Sequence, residues 1–157
     1  MGEEETRRVI ELFKNEGVEY KLYEHEPVYT SEQASKVRGV ELKTGVKAMV
    51  LKSMEHFVLA DIAADRRLDF RKLEKLLQVK KLEFATKEEV ITKTGCEAGS
   101  VHPLGSLFNL DTYLDESVLD NEYVNFNIGL LTKSVRIRKD DFVRILKPRL
   151  TESFSKQ

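Results

Sequence analysis

Cysteine, proline, long apolar runs and net charge are what this 157-residue chain has least of. A single cysteine, Cys96, excludes an intramolecular disulfide and leaves too few thiols for a zinc-ribbon site. No apolar run approaches the roughly 18–20 residues that a membrane span requires, and the acidic start Glu3-Glu4-Glu5 contradicts a signal peptide. A cytoplasmic protein with no membrane partner is therefore expected. Only three prolines and eight glycines accompany 41% hydrophobic and 34% charged residues, the balance of an ordered globular chain. A net charge of −1 argues against a protein that coats DNA or RNA non-specifically, because phosphate neutralisation supplies most of such binding. The chain contains no P-loop, no Gly-x-Ser-x-Gly elbow and no His-Glu-x-x-His motif. His25, His56 and His102 lie on separate segments without a short ligand spacing, so neither a metal nor another cofactor is expected.

What is present fits one domain over residues 1–150, without repeats or linkers, followed by a flexible tail at 151–157. Val9, Ile10, Leu12 and Phe13 recur at helical spacing and predict a helix over 4–16 that Gly17 stops. Val18, Tyr20 and Leu22 alternate as in a half-buried strand. Thr30 and Gln33 form a capping-box pattern for a short helix ending near Gly39. Val46–Lys52 and His56–Ile62 read as a hairpin, Asp69 caps a helix through Leu77, and Thr86 with Glu89 opens another that Gly95 ends. Lys81–Ala85, Leu107–Leu110, Tyr113–Leu114, Tyr123–Asn127 and Val135–Arg138 read as short strands, and a last helix begins at Asp140.

Charge is unevenly placed along the chain. Residues 1–32 carry nine acidic and four basic side chains, whereas 133–149 carry seven basic residues against Asp140 and Asp141. That asymmetry gives either a basic face or a solvated strand and helix. Within Val46–Lys52, alternation puts Lys47 on one face with Met49 and Leu51. Such a lysine either snorkels to water or points inward to meet an anion.

The stretch Gly95–Gly105 holds three glycines, a proline, a serine, a cysteine and a histidine. It reads either as an elaborate helix stop or as a loop presenting backbone N–H groups to a small acceptor. Cys96 lies beside a helix C-terminus, without the positive potential that makes a thiol nucleophilic.

Taken in order, several pieces resemble the YbaK and prolyl-tRNA-synthetase-associated editing domains. They are His25-x-Pro27-Val28-Tyr29-Thr30-Ser31-Glu32-Gln33-Ala34, then Val46-Lys47-Ala48-Met49-Val50, Asp65-Arg66-Arg67-Leu68-Asp69 and Leu82-x-Phe84-Ala85. Gly99-Ser100-Val101-His102-Pro103-Leu104-Gly105 and Phe126-Asn127-x-Gly129 complete the set. The resemblance implies an α/β fold of the α+β type, with a mixed, strongly curved, barrel-like sheet and helices packed around it. It implies a trans-acting deacylase that cleaves the ester of mischarged tRNA, tRNA(Pro) carrying a small amino acid being the expected substrate. Lys47 would contact the terminal nucleotide. Gly99 and Ser100 would act with it at the ester, while Thr30, Ser31, Val101, His102, Pro103 and Asn127 would line the aminoacyl pocket. The implied partners are the 3′ end of aminoacyl-tRNA and a synthetase. The other reading is an inactive module of the same fold that binds tRNA or a synthetase.

Overall fold

The computed structural model describes residues 1–157. Helix α1 (Glu3–Glu16) ends at Gly17 and buries Val9 and Phe13. Strand β1 (Tyr20–Glu24) leads to α2 (Ser31–Arg38), whose N-cap Thr30 accepts a hydrogen bond from the Gln33 amide. A 3-10 turn at Leu42–Thr44 delivers the chain to the hairpin of β2 (Val46–Ser53) and β3 (His56–Ala63). Strand β4 (Arg67–Leu68) precedes α3 (Phe70–Leu77), and β5 (Glu83–Phe84) precedes α4 (Lys87–Thr94). Asp69 caps α3, and Thr86 with Glu89 closes a reciprocal capping box on α4. The rest comprises β6 (Asp111–Asp115), β7 (Tyr123–Asn127), β8 (Lys133–Arg138), α5 (Lys139–Leu146), β9 (Leu150–Glu152) and β10 (Ser155–Lys156).

The strands form three sheets. A mixed five-stranded sheet has the order β5-β2-β3-β6-β9, an antiparallel sheet the order β1-β8-β7, and β10 pairs with β4. The two larger sheets meet at one isolated bridge, Gly45 to Asn125. This corrects the barrel-like expectation. Each sheet keeps two free edges, and one bridge is too little pairing to close a barrel.

The largest core cluster joins α1 and α5 to the inner face of β1-β8-β7 through Val9, Phe13, Phe126, Val135, Ile137 and Phe142. A second cluster lies under α3, with Leu51, Ile62, Leu73 and Phe154. Phe154 overturns the expected tail. It is fully buried, its amide donates to Asp115 Oδ1 at 2.7 Å, and its carbonyl accepts from the Asp69 amide. Leu107–Leu110 is also not a strand: Gly105–Phe108 forms a 3-10 turn ended by Asn109 at φ 61°. Its apolar run is too short for periodicity to separate the two forms.

One core residue breaks the apolar pattern. Asp61, in the middle of β3, is fully buried, and neither carboxylate oxygen has a hydrogen-bond partner in the protein. Burial alone holds its pKa well above the ordinary 3.8. The folded state then keeps a proton that the unfolded chain has released above that value, so this group's contribution to stability falls as pH rises. Urea midpoints of Asp61→Asn, compared with the parent between pH 4 and pH 8, are expected to show a gap in favour of the variant that widens with pH. Parallel curves would contradict this.

Candidate active site

The cleft lies where α2, the 3-10 turn, the start of β2, the Gly99–Val101 loop and the end of β7 converge, and it encloses about 220 Å³. Thr30, Ser31, Lys47, Gly99, Val101 and Asn127 border it. These come from four separate parts of the sequence, brought together by the β2-β3 hairpin and the Gly45 bridge to β7.

Lys47 is half-buried, and its ammonium donates to the carbonyl of Arg66. Burial pulls its pKa below the usual lysine value, opposed by the nearby charges of Glu32 and Asp65. It faces the cleft without a carboxylate within 4.0 Å.

Asn127 ties the cleft wall together. Its Nδ2 donates to the Gly99 carbonyl at 2.7 Å, and its Oδ1 accepts from Arg38 at 2.8 Å and from the Ser134 hydroxyl at 2.9 Å. His25 Nε2 lies 2.8 Å from that same hydroxyl, which extends the network to the end of β1. Gly99 sits at φ 91°, a conformation an L side chain rarely adopts, which lets the loop turn beside Tyr29. The Gly99 and Val101 amides make no hydrogen bond within the protein, whereas the Ser100 amide is taken by the Glu97 carbonyl. Two free N–H donors thus flank one that is used.

The other loop residues turn inward. Ser100 is 1% exposed, and its hydroxyl donates to the Glu97 carbonyl. His102 is fully buried, stacked on Phe108 at 4.1 Å, and accepts from the Leu104 amide through Nδ1. Burial, with a smaller effect of Arg8, pushes its pKa down to about 3, so the ring is neutral. Pro103 is buried behind it. Ser100, His102 and Pro103 therefore shape the loop from the core side rather than border the cleft. Gly105 closes the turn, since a Cβ there would lie 1.8 Å from Thr112 Oγ1. Cys96 is fully buried, and burial followed by Glu5 raises its thiol to about 12, which removes it as a nucleophile.

Sequence reading missed Arg38. In the sequence it is a basic residue in the last turn of a helix, where cations are ordinary. In the fold its guanidinium borders the cleft, its Nε is buried without a partner, and no carboxylate pairs with it. Burial lowers its pKa to about 10, partly offset by Tyr23, and it stays charged at neutral pH. Only the register that sets Asn127 beside α2 could have revealed it.

Chemically, the cleft combines two cations, Lys47 and Arg38, with the unbonded amides of Gly99 and Val101 and has no cysteine or histidine on its wall, a donor set suited to positioning an anionic substrate. The chain belongs to the aminoacyl-tRNA editing domain family, whose sequence model matches residues 25–145. It is 32% identical over 149 residues to the Multifunctional Ser/Thr-tRNA deacylase ProXp-y of Escherichia coli K12, covering 92% of this chain and 89% of that one. It is 30% identical over 118 residues to the proline–tRNA ligase of Bacillus subtilis, covering 67% of this chain but 21% of the ligase. Among solved structures, one provisionally described as a trans-editing enzyme for prolyl tRNA synthetase superposes with a TM-score of 0.84 at 26% identity, covering 98% of this chain and 97% of that one. No helix is long and apolar enough to cross a membrane.

Proposed function

We propose that this protein is a trans-acting aminoacyl-tRNA deacylase that removes a small amino acid from mischarged tRNA, with tRNA(Pro) as its substrate. The observation that carries the reading is the convergence on one cleft of Lys47, Arg38, Gly99 and Val101, the last two with amides that no group in the protein takes. Lys47 and Arg38 hold the phosphate of the terminal nucleotide as an ion pair and a forked hydrogen bond. The Gly99 and Val101 N–H groups face the ester carbonyl and stabilise the oxyanion formed when water adds to it. Water supplies the nucleophile, the ribose hydroxyl next to the ester positions it, and the departing ribose oxygen takes up the proton. Thr30 and Ser31 border the aminoacyl side chain, although the Thr30 hydroxyl already caps α2. A cleft of about 220 Å³ lies below the roughly 300–1,000 Å³ of drug-sized ligand pockets and favours a small side chain.

The tRNA(Pro) assignment draws on the kinship with proline–tRNA ligases and leaves room for docking to a synthetase. The inward turn of Ser100 and His102 gives the inactive-module reading its one specific support, since no side chain of the loop is left to act as a base. Incubating the protein with tRNAs mischarged with alanine, serine, threonine or cysteine separates these readings. Release above the spontaneous rate, greatest on tRNA(Pro), is expected. Tight tRNA binding without release from any of them would instead identify a binding module.

A further inference from the structure

The face of the β1-β8-β7 sheet that points away from α1 and α5 is basic and aromatic at its outer end, and its last row reaches the cleft wall. Pairing sets Lys21 opposite Arg136 and Arg136 opposite Asn125, Tyr123 opposite Arg138, and Tyr23 and Asn127 on either side of Ser134. Directly opposed residues project to the same side, as do residues two apart on one strand. The face therefore carries three rows about 7 Å apart. The first is Arg138 with Tyr123, the second Lys21 with Arg136 and the buried Asn125, and the third Tyr23 with the buried Ser134 and Asn127. The third row ends at the cleft wall, where Asn127 bonds to Arg38.

The cations of this face are held on aromatic rings. Arg136 lies 4.1 Å from the Tyr123 ring and Arg138 5.6 Å from it, while the Lys21 ammonium lies 5.0 Å from the Tyr23 ring. A shallow groove runs between Lys21, Tyr123, Arg136 and Arg138. Exposed Glu122 stands 4.0 Å from Arg138, and Glu19 borders the groove, but no carboxylate lies within 4.0 Å of Lys21 or Arg136. Arg136 Nε is buried without a partner. In a chain of net charge −1, this local surplus of cations matches a polyanion rather than a general solubility need. The tyrosine rings and the spacing of the rows suit a ribose-phosphate strand, whose backbone takes the cations and whose sugars and bases lie on the rings.

From this we infer that the outer face of β1-β8-β7 binds the backbone of the tRNA acceptor strand and guides its 3′ end past Asn127 into the cleft. The inference rests on the deacylase reading of that cleft. The test is the triple variant Lys21→Gln/Arg136→Gln/Arg138→Gln, with Lys72→Gln/Lys75→Gln on α3 as the charge-matched control and Lys21→Gln/Arg138→Gln as a form that spares the half-buried arginine. Binding of uncharged full-length tRNA is followed by fluorescence anisotropy against salt, and deacylation is measured on mischarged tRNA and on aminoacyl-adenosine. The triple variant is expected to flatten the salt slope by about three, one per cation removed, and the double variant by about two, while the control does not change it. KM should rise on tRNA and stay unchanged on aminoacyl-adenosine. An unchanged slope and KM in both variants would overturn the surface, as would equal losses on the short ester or a groove that prefers a polyglutamate peptide to tRNA. The two readings fail separately: parent protein that binds tRNA with the expected slope but releases no amino acid sinks only the deacylase reading.

Discussion

Replacing Lys47 by alanine is expected to lower kcat/KM for deacylation of mischarged tRNA by about 10²–10³-fold, the usual effect of removing one charged or donor group from a preorganised site. Lys47 is a half-buried cation on the cleft wall whose only hydrogen bond is to a backbone carbonyl, so no carboxylate competes with an incoming phosphate. Burial already weakens its charged form, and a phosphate would restore it. The loss should fall mainly on kcat if the phosphate contact tightens as the ester reaches its transition state, and mainly on KM if the contact is uniform. Steady-state kinetics on both parameters, with a thermal melt as a folding control, decides between these. A variant that melts like the parent and keeps its full rate would remove Lys47 from the site.

Phe154→Ala carries the second large effect, on stability rather than rate. The ring is fully buried with Leu51, Leu73 and Ile62, and truncating a buried phenylalanine costs about 3–5 kcal/mol. The neighbouring contacts hold the backbone in place and keep the site from collapsing around the cavity. Asp115 accepts from the Phe154 amide and the Ser155 hydroxyl, and Arg66 donates to both the hydroxyl and the carbonyl of Ser155. Because Arg66 also accepts from Lys47 through its carbonyl, the C-terminal strand supports the cleft from behind. Urea denaturation of Phe154→Ala should show a much lower midpoint with little change in slope. A midpoint within experimental error of the parent would mean that the C-terminal strand is not part of the cooperative fold.

What the sequence revealed was local. Thr30, Asp69 and Thr86 were legible as caps because capping joins residues three apart, and the helix stops at Gly17, Gly39 and Gly95 follow from one left-handed residue each. The β2-β3 hairpin was legible for the same reason. Pairings between distant strands were not, which is why the expected barrel is replaced by three open sheets and why Arg38 went unseen. Polarity misled at both ends of the scale. The segment 151–157 is polar apart from one phenylalanine that inserts into the core, and His102 looks like chemistry in the sequence but is neutral and stacked beneath the loop. The juxtaposition of Lys47, Gly99 and Asn127 could come only from the fold, or from a resemblance that already contained it.

The most direct test of the site is an adenosine carrying alanine or serine through a 3′ amide in place of the ester, titrated into isotope-labelled protein while backbone amide resonances are followed. If the aminoacyl end enters this cleft, the largest shifts fall on Gly99 and Val101, whose amides are free, and on Lys47 and Arg38, with the core-side Ser100 and His102 moving less. Shifts centred on another surface, or none at saturating analogue, would contradict the account.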